Sequence, residues 1–344
     1  MTTDETPVRR RRGPSMADVA QLAGVSGQTV SRVANGRRNV DAATRDRVLA
    51  AMRQLGYRPN SAARALRNGQ FRSIGVIAFE LSSFGNTRTL DAIAAAATSS
   101  GYAVNLIPVL DGTPRDLSGA FDRLGEQAVD GVIILIEAHR LDEADVQMPD
   151  GMPVVVIDSN ADLDYPVVDT DQAQGSRLAT EHLLELGHRT VWHLGGPEDS
   201  YAASRRLRSW RQTLTDHGCP VPPVLTGDWS AGSGYEAGRK LAADPEVTAV
   251  FAANDQMALG LLRALHEAGR AVPGDVSVVG FDDMEEAAQF WPPLTTIRQF
   301  FPEVARRSVD ALIEGIRTGE HHHQPVAVGT ELVVRASTAP PRRR

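Results

Sequence analysis

Five polar residues cluster near the start of the chain: Gln28, Thr29, Ser31, Arg32 and Asn35. Side chains of these types exchange hydrogen bonds with base edges and phosphate oxygens, the groups a DNA duplex presents. Val30 and Val33 lie between them at a spacing that turns inward on a helix, which leaves the polar set outward. Two short helices must position that set. Val19, Ala20 and Ala23 give the first helix a small, apolar face for close packing. Gly24 ends it, because glycine accepts the left-handed conformation just past a helix end. Ser26 caps the second helix through its side-chain oxygen. The pattern reads as a helix-turn-helix whose second helix would lie in a major groove.

The charge distribution agrees. Residues 1–70 hold 13 arginines and 5 acids, a balance of +8 within a chain whose formal net charge is -7. The remainder holds 22 arginines and one lysine against 38 acids, a balance of -15. A basic head on an acidic body is the footprint of a nucleic-acid module joined to something else. Cys219 is the only cysteine, so an intrachain disulfide is excluded. No apolar run approaches a membrane span, and the N-terminus is polar with no signal-peptide core. A cytoplasmic location is expected.

Stepping along the chain, a third helix is expected from Ala42 to Leu55, capped by Asp41, stopped by Gly56 and apolar along Val48, Met52 and Leu55. Ser61–Asn68 reads as a further helix, too short to be stable alone in water. From Ser73 the pattern becomes alternating strands and helices. Strands are expected at 74–78, 103–109, 131–136 and 154–158, with helices at Thr89–Ser100 and Ser118–Gln127. A second series follows: helices at 172–186, 204–217, 233–243 and 256–268, strands at 190–194, 224–227, 249–253 and 277–281, and a last helix at 303–318. Such alternation makes parallel sheets covered on both faces. The fold class expected is α/β: an N-terminal all-α helix-turn-helix headpiece with a hinge helix, then two doubly wound parallel-sheet lobes. Ligands bind such sheets at the carboxyl ends of the strands.

The chain resembles the lactose/galactose repressor family over roughly Met16 to Pro340. The marks are Ala23-Gly-Val-Ser26, Thr29-Val-Ser-Arg-Val33, Leu55-Gly-Tyr-Arg-Pro-Asn60, Asn254-Asp-Gln-Met-Ala-Leu-Gly260, Ser277-Val-Val-Gly-Phe-Asp-Asp283 and Pro293-Leu-Thr-Thr296. Gly227-Asp-Trp-Ser-Ala231 is most similar to the lactose-repressor branch. The resemblance implies lobes of the type I periplasmic-binding-protein kind, a homodimer on a pseudo-palindromic operator and a small effector between the lobes. It implies a disordered basic arm over 1–14, the DNA-binding domain over 15–59, the hinge helix and linker over 60–70, and an effector-binding and dimerisation domain over 71–340. The lobes are expected at about 71–169 with 300–327 and at 170–298 with 328–340.

By the same resemblance Gln28, Thr29 and Arg32 read bases, while Ser26, Ser31 and Asn35 hold phosphates. Gly27 departs from the bulky aromatic reader of the lactose-repressor branch. Ala63 and Leu66 belong to the hinge helix, with Leu66 as a minor-groove wedge or, alternatively, a plain linker-core leucine. The effector residues implied are Asp158, Arg206, Asn254 and Asp282, Trp229 as an apolar platform for a sugar ring, and Gln299 and Phe301 at the crossover between lobes. Plainer roles stand beside these: Asn254 as a helix cap, Asp282 as a binder of turn amides, Trp229 as core. The loop Phe79–Asn86 departs from the lactose-repressor branch, so the effector's distal part is left open.

The function implied is a non-enzymatic, sequence-specific DNA-binding transcriptional regulator, a repressor of sugar-utilisation genes released by a small sugar such as a galactoside. A purine-type corepressor is the alternative within the family, and a solute-binding transport protein the alternative outside it. His321-His-His323 is read as an exposed loop, and neither a metal nor a cofactor is expected. Gly232-Ser-Gly234 is no nucleophile elbow. No heptad helix follows Pro340, so the family's tetramer-forming segment is not expected.

Overall fold

A computed structural model describes residues 13–34, 39–58, 69–79, 83–109, 114–135, 151–157, 165–319 and 324–342. They fall into two units, divided between Phe71 and Arg72.

The first unit is helical: α1 Met16–Ala23, α2 Gly27–Ala34 and α3 Ala42–Leu55. Ser15 caps α1 and forms a capping box with Asp18, and Gly24 closes it in the left-handed region at φ 63°. Asp41 caps α3 by accepting from the Thr44 N–H, and Gly56 ends it at φ 64°. Val19, Ala20, Ala23, Val30, Val33, Val48, Ala51 and Met52 form the shared core. The hinge helix expected at 61–68, with Ala63 and Leu66, lies outside the described residues.

The second unit runs β1 Ser73–Phe79, α4 Phe84–Ser99, β2 Ala103–Val109, α5 Pro114–Glu126, β3 Gly131–Leu135, β4 Val154–Ile157 and β5 Val168–Thr170. It continues with α6 Gln172–Glu185, β6 Trp192–Gly195, α7 Tyr201–Asp216, β7 Leu225–Thr226, α8 Ala231–Ala243, β8 Ala249–Ala252, α9 Asp255–Glu267 and β9 Ser277–Asp282. β10 Thr295–Arg298, α10 Phe301–Thr318, β11 Val326–Val328 and β12 Glu331–Val333 complete it. One sheet has the order β2-β1-β3-β4, the other β12-β10-β9-β8-β6-β7, and β5 pairs with β11. The pairs are parallel except for β12 on β10.

Both faces of each sheet are buried, and the period-2 alternation of the strands sorts the residues. Ile133 and Leu135 face one core with Ile93 and Val309, while Val132 and Ile134 face the other with Phe121 and Leu124. Val250 and Ala252 face Met257 and Leu261, while Ala249 and Phe251 face Trp210 and Leu183. No helix among the described residues is long and apolar enough to cross a membrane.

The structure corrects several expected boundaries. α4 begins at Phe84 rather than Thr89, because Ser83 caps it by accepting from the Asn86 N–H at 3.3 Å. Phe84 and Asn86 therefore belong to a helix start, not to a loop. α5 begins at Pro114 rather than Ser118, and proline is favoured in a first turn, where its missing N–H costs nothing. α7 begins at Tyr201 rather than Ser204, capped by Ser200. The strand expected at 190–194 is shifted to Trp192–Gly195. The short strands β5, β10, β11 and β12 were not anticipated.

α8 and α9 cross at Gly260. A Cβ there would run into the Ala231 carbonyl oxygen and the Tyr235 backbone nitrogen, neither of which can rotate away. Gly260→Ala is therefore expected to destabilise the protein by about 3 kcal/mol or more in urea unfolding. Gly232→Ala, whose nearest neighbour is Ser230 Oγ at 3.6 Å, is expected to be neutral or slightly stabilising.

Candidate functional site

In the first unit, α2 exposes Gln28 and Arg32 and half-buries Thr29 and Ser31. Ser26 does cap α2, accepting from the Thr29 N–H at 3.2 Å, and its hydroxyl meets Thr29 Oγ1 at 3.0 Å. Asn35, assigned a phosphate contact, lies outside the described residues. Ser26 and Thr29 are thus tied together at the helix start, where backbone N–H groups and the positive end of the dipole point outward.

In the second unit, one cavity of about 610 Å³, its open mouth included, collects residues from both sheets. Arg206, Trp229, Asn254, Asp282, Gln299 and Phe301 all line it. Asp158 lies outside the described residues, although Ile157, just before it, lines the cavity. The topology explains the convergence. Trp229, Asn254, Asp282 and Gln299 stand at or just beyond the carboxyl ends of β7, β8, β9 and β10, where a doubly wound sheet opens. The opposite wall is the start of α4 and of α10, where Phe84 and Phe301 meet edge-on at 6.2 Å.

Arg206 is buried and bound on several sides. Its Nε donates to Gln172 Oε1 at 2.8 Å and its Nη1 to the Ala253 carbonyl. Nη2 lies 3.9 Å from Asp282 Oδ1. The guanidinium rests 3.7 Å above the centre of the Phe281 ring and 5.6 Å from that of Trp229. Asp282 Oδ1 accepts from Gln299 Nε2 at 2.7 Å. Burial pushes the Asp282 carboxyl up to about 6, against the opposing pull of Arg206 and Gln299. Beneath it, Asp255 accepts from Thr296 Oγ1 at 2.6 Å and from the Met284 N–H at 2.9 Å. Burial first, then the Asp282 charge, hold Asp255 well above the usual carboxylate range.

Asn254 has two jobs at once. Its Oδ1 caps α9 by accepting from the Met257 N–H at 2.8 Å, and its Nδ2 donates to the Trp229 carbonyl at 3.0 Å. It thereby holds the backbone that carries the indole. Trp229 sits at φ 69° and Asp282 at φ 114°, both in the region that favours glycine. Backbone strain of this kind persists where surrounding contacts enforce it, commonly at functional sites. Gly196 is the seat of the indole, since a Cβ there would run into the ring. Ser83, Phe84 and Asn86 of the lining fall in the stretch expected at the effector's distal part, whereas sequence reasoning missed Gly196 and, of the lining, Asp169 and Gln172. The position of Asp169 just before a helix cap gave no signal.

The assembled site is an apolar indole surrounded by a guanidinium, carboxyl groups and amides. That set suits a ligand with a flat C–H face and a rim of hydroxyls.

Comparison with known proteins fits both parts of the chain. Residues 15–60 match the family "Bacterial regulatory proteins, lacI family", and residues 180–338 match the "Periplasmic binding protein-like domain". The chain is 36% identical to the lactose operon repressor of Escherichia coli (strain K12), over 95% of this chain and 91% of that protein. It is 37% identical to the HTH-type transcriptional regulator CelR of Thermobifida fusca, over 96% and 100%. Among solved structures it is similar to the lac repressor dimer bound to operator and the anti-inducer ONPF, with TM-score 0.85 and 35% identity over 95% of this chain and 100% of that one. It is also similar to a CelR–cellobiose complex, with TM-score 0.69 and 32% identity over 94% and 99%.

The Asp282 carboxyl makes a prediction about stability. With its folded value raised to about 6 from an ordinary 3.8, the folded chain holds this proton more tightly than the unfolded one. The group costs nothing where it is protonated in both states, and its cost grows as pH rises towards about 6. Asp282→Asn is expected to match the parent protein near pH ~4 and to exceed it by about 1–3 kcal/mol near pH ~7.5 in urea unfolding. A difference that does not change with pH would mean that this carboxyl titrates as an ordinary aspartate.

Proposed function

The chain belongs to the lacI family of bacterial regulatory proteins, and from that premise we propose that a sugar bound in the cleft releases it from its operator. It is a DNA-binding transcriptional regulator, not an enzyme, and the proposal concerns its signal and its working residues. Gln28, Thr29 and Arg32 of α2 read bases, with Ser26, Ser31 and Asn35 on phosphates. Ala63 and Leu66 enter the minor groove from the hinge. The working form is a cytoplasmic homodimer, as the lac repressor dimer on its operator supports.

One observation carries the sugar reading: Arg206, Asn254, Asp282 and Gln299 surround the Trp229 indole in a single cleft. An indole takes the C–H face of a pyranose. Carboxylates and amides at its edge exchange hydrogen bonds with the ring hydroxyls. The cellobiose complex of a 32% identical regulator supports this class of ligand.

The mechanism is a shift between two lobe arrangements. The cleft takes residues from both sheets, so a ligand within it favours the arrangement that lets it touch both. It releases the operator only if it binds the DNA-incompetent arrangement more tightly than the competent one.

A thermal-shift panel of galactosides, glucosides and purine bases tests the reading, because a ligand of the native state raises the melting temperature by mass action. A shift with one sugar class is expected, whereas a shift with purines alone would replace the sugar by a base. Asp282→Ala is expected to lower affinity for that sugar by about tenfold or more, leaving operator binding without sugar within about twofold. Gel-shift titration with and without the sugar reads both quantities. Loss of operator binding with sugar affinity intact would overturn this division of labour.

A further inference from the structure

β7 ends at Thr226 and α8 begins at Ala231, so the chain must turn from strand to helix while presenting the indole of Trp229. Both ends of that turn are fixed. The Gly227 N–H donates to the Gly195 carbonyl at 2.8 Å, and Ser230 caps α8 by accepting from the Ser233 N–H at 3.1 Å. Trp229, between them, takes the left-handed conformation at φ 69°. A side chain larger than glycine's disfavours that conformation, so surrounding contacts must enforce it.

Asp228 supplies those contacts. Its Oδ1 accepts from the Ser230 N–H at 3.0 Å and from the Ser230 hydroxyl at 2.5 Å, which closes the turn across Trp229. The Asp228 N–H donates to Ser233 Oγ at 3.0 Å, and that hydroxyl donates to the Ser230 carbonyl at 2.9 Å. The Ser230 hydroxyl, then that of Ser233, hold the Asp228 carboxyl below the usual carboxylate range, so these bonds end on a charged acceptor. On the inner side Asn254 Nδ2 donates to the Trp229 carbonyl at 3.0 Å. Asp228 and Ser230 are exposed and stand outside the cavity wall, whereas Trp229 is part of it.

We infer that Asp228 is a positioning residue for the effector: it holds Trp229 in the left-handed conformation and so seats the indole against Gly196 as the platform of the cleft, without touching the ligand itself. The inference rests on the sugar reading of the cleft. Without the carboxylate the Trp229 backbone relaxes and carries the ring off its seat. Each binding event then has to bring the ring back, and apparent affinity falls with the fraction of molecules in which it is seated.

Three variants of the full chain test this: Asp228→Ala, Asp228→Asn and, as a control, Asp244→Ala. Asp244 Oδ1 accepts from the Glu246 N–H at 2.9 Å beyond the opposite end of α8, so the control loses the same kind of bond away from the cleft. Calorimetric titration with cellobiose and with methyl β-galactoside reads affinity. Asp228→Ala is expected to weaken binding of whichever sugar the parent protein takes by about tenfold. Asp228→Asn keeps an acceptor oxygen and is expected to stay within about threefold of the parent, and Asp244→Ala within about twofold. The emission of Trp229 is read as the difference between each protein and its Trp229→Phe counterpart. It is expected to shift to the red in Asp228→Ala alone, as the indole leaves its seat for water. Unchanged affinity in Asp228→Ala, a loss as large in Asp228→Asn or in Asp244→Ala, or a Trp229 emission that does not shift would each overturn the part assigned to Asp228. Heat from neither sugar in the parent protein would count against the sugar reading instead, and the emission comparison, which needs no ligand, would still support or overturn the seating of the indole by Asp228.

Discussion

A buried carboxyl group and a buried guanidinium, Asp282 and Arg206, organise the larger unit. Taking either charge out of water is expensive unless hydrogen bonds and an opposite charge compensate. The compensation here is drawn from four elements. Gln172 at the start of α6, Ala253 beyond β8, Phe281 of β9 and Gln299 beyond β10 all meet around the pair. Those elements can satisfy the two charges only if the strand ends of the second sheet and the helices beside it keep their positions. The site and the sheet therefore stabilise each other.

Compensation at Asp282 is incomplete, as its raised value of about 6 records. Asp255 lies beneath it with both oxygens engaged, and Gly280 makes room for that side chain, since a Cβ there would run into Asp255 Oδ1. Asp283, next in sequence, takes the opposite part by pairing with Arg298 and Arg335. Three acids within one short region thus divide the work. Asp283 fixes the crossover strand to the C-terminal segment, Asp255 ties α9 to β10, and Asp282 faces the cavity. Ligand hydroxyls donating to Asp282 would add hydrogen bonds that favour its charged form.

The helical unit was legible in the sequence because its determinants are local. Gly24, Ser26, Asp41 and Gly56 do at close range what their types dictate, and Val30 and Val33 face inward as their spacing requires. The alternating strands and helices were legible for the same reason, since buried parallel strands read as apolar runs. The starts of α4 and α7 were read late because Ser83 and Ser200 were not recognised as their caps, although α7 opens on the buried Tyr201, Ala202 and Ala203. The short strands β5, β10, β11 and β12 depend on partners distant in sequence and leave no local pattern. The six cleft residues within the described chain were placed by family resemblance rather than by periodicity. Gly196 and Asp169 lacked that help, because a seat for an indole and a carboxylate on a crossover strand exist only once the sheet is assembled.

The position of the cleft decides what a ligand can do. Its walls include Phe84 and Phe301 from helices over the first sheet, Trp229 and Asn254 from the strand ends of the second, and Asp169 and Gln299 from the segments that cross between them. A ligand held by one lobe alone would bind without consequence, because it would favour no arrangement over another. A ligand that spans the walls and touches the crossovers binds best in one lobe arrangement and so selects it. Packed cores on both faces of each sheet resist deformation, which leaves the crossover segments to take up the change. Differential contact at Asp282 and Gln299 would thereby favour one lobe arrangement over another, as the proposed release from DNA requires.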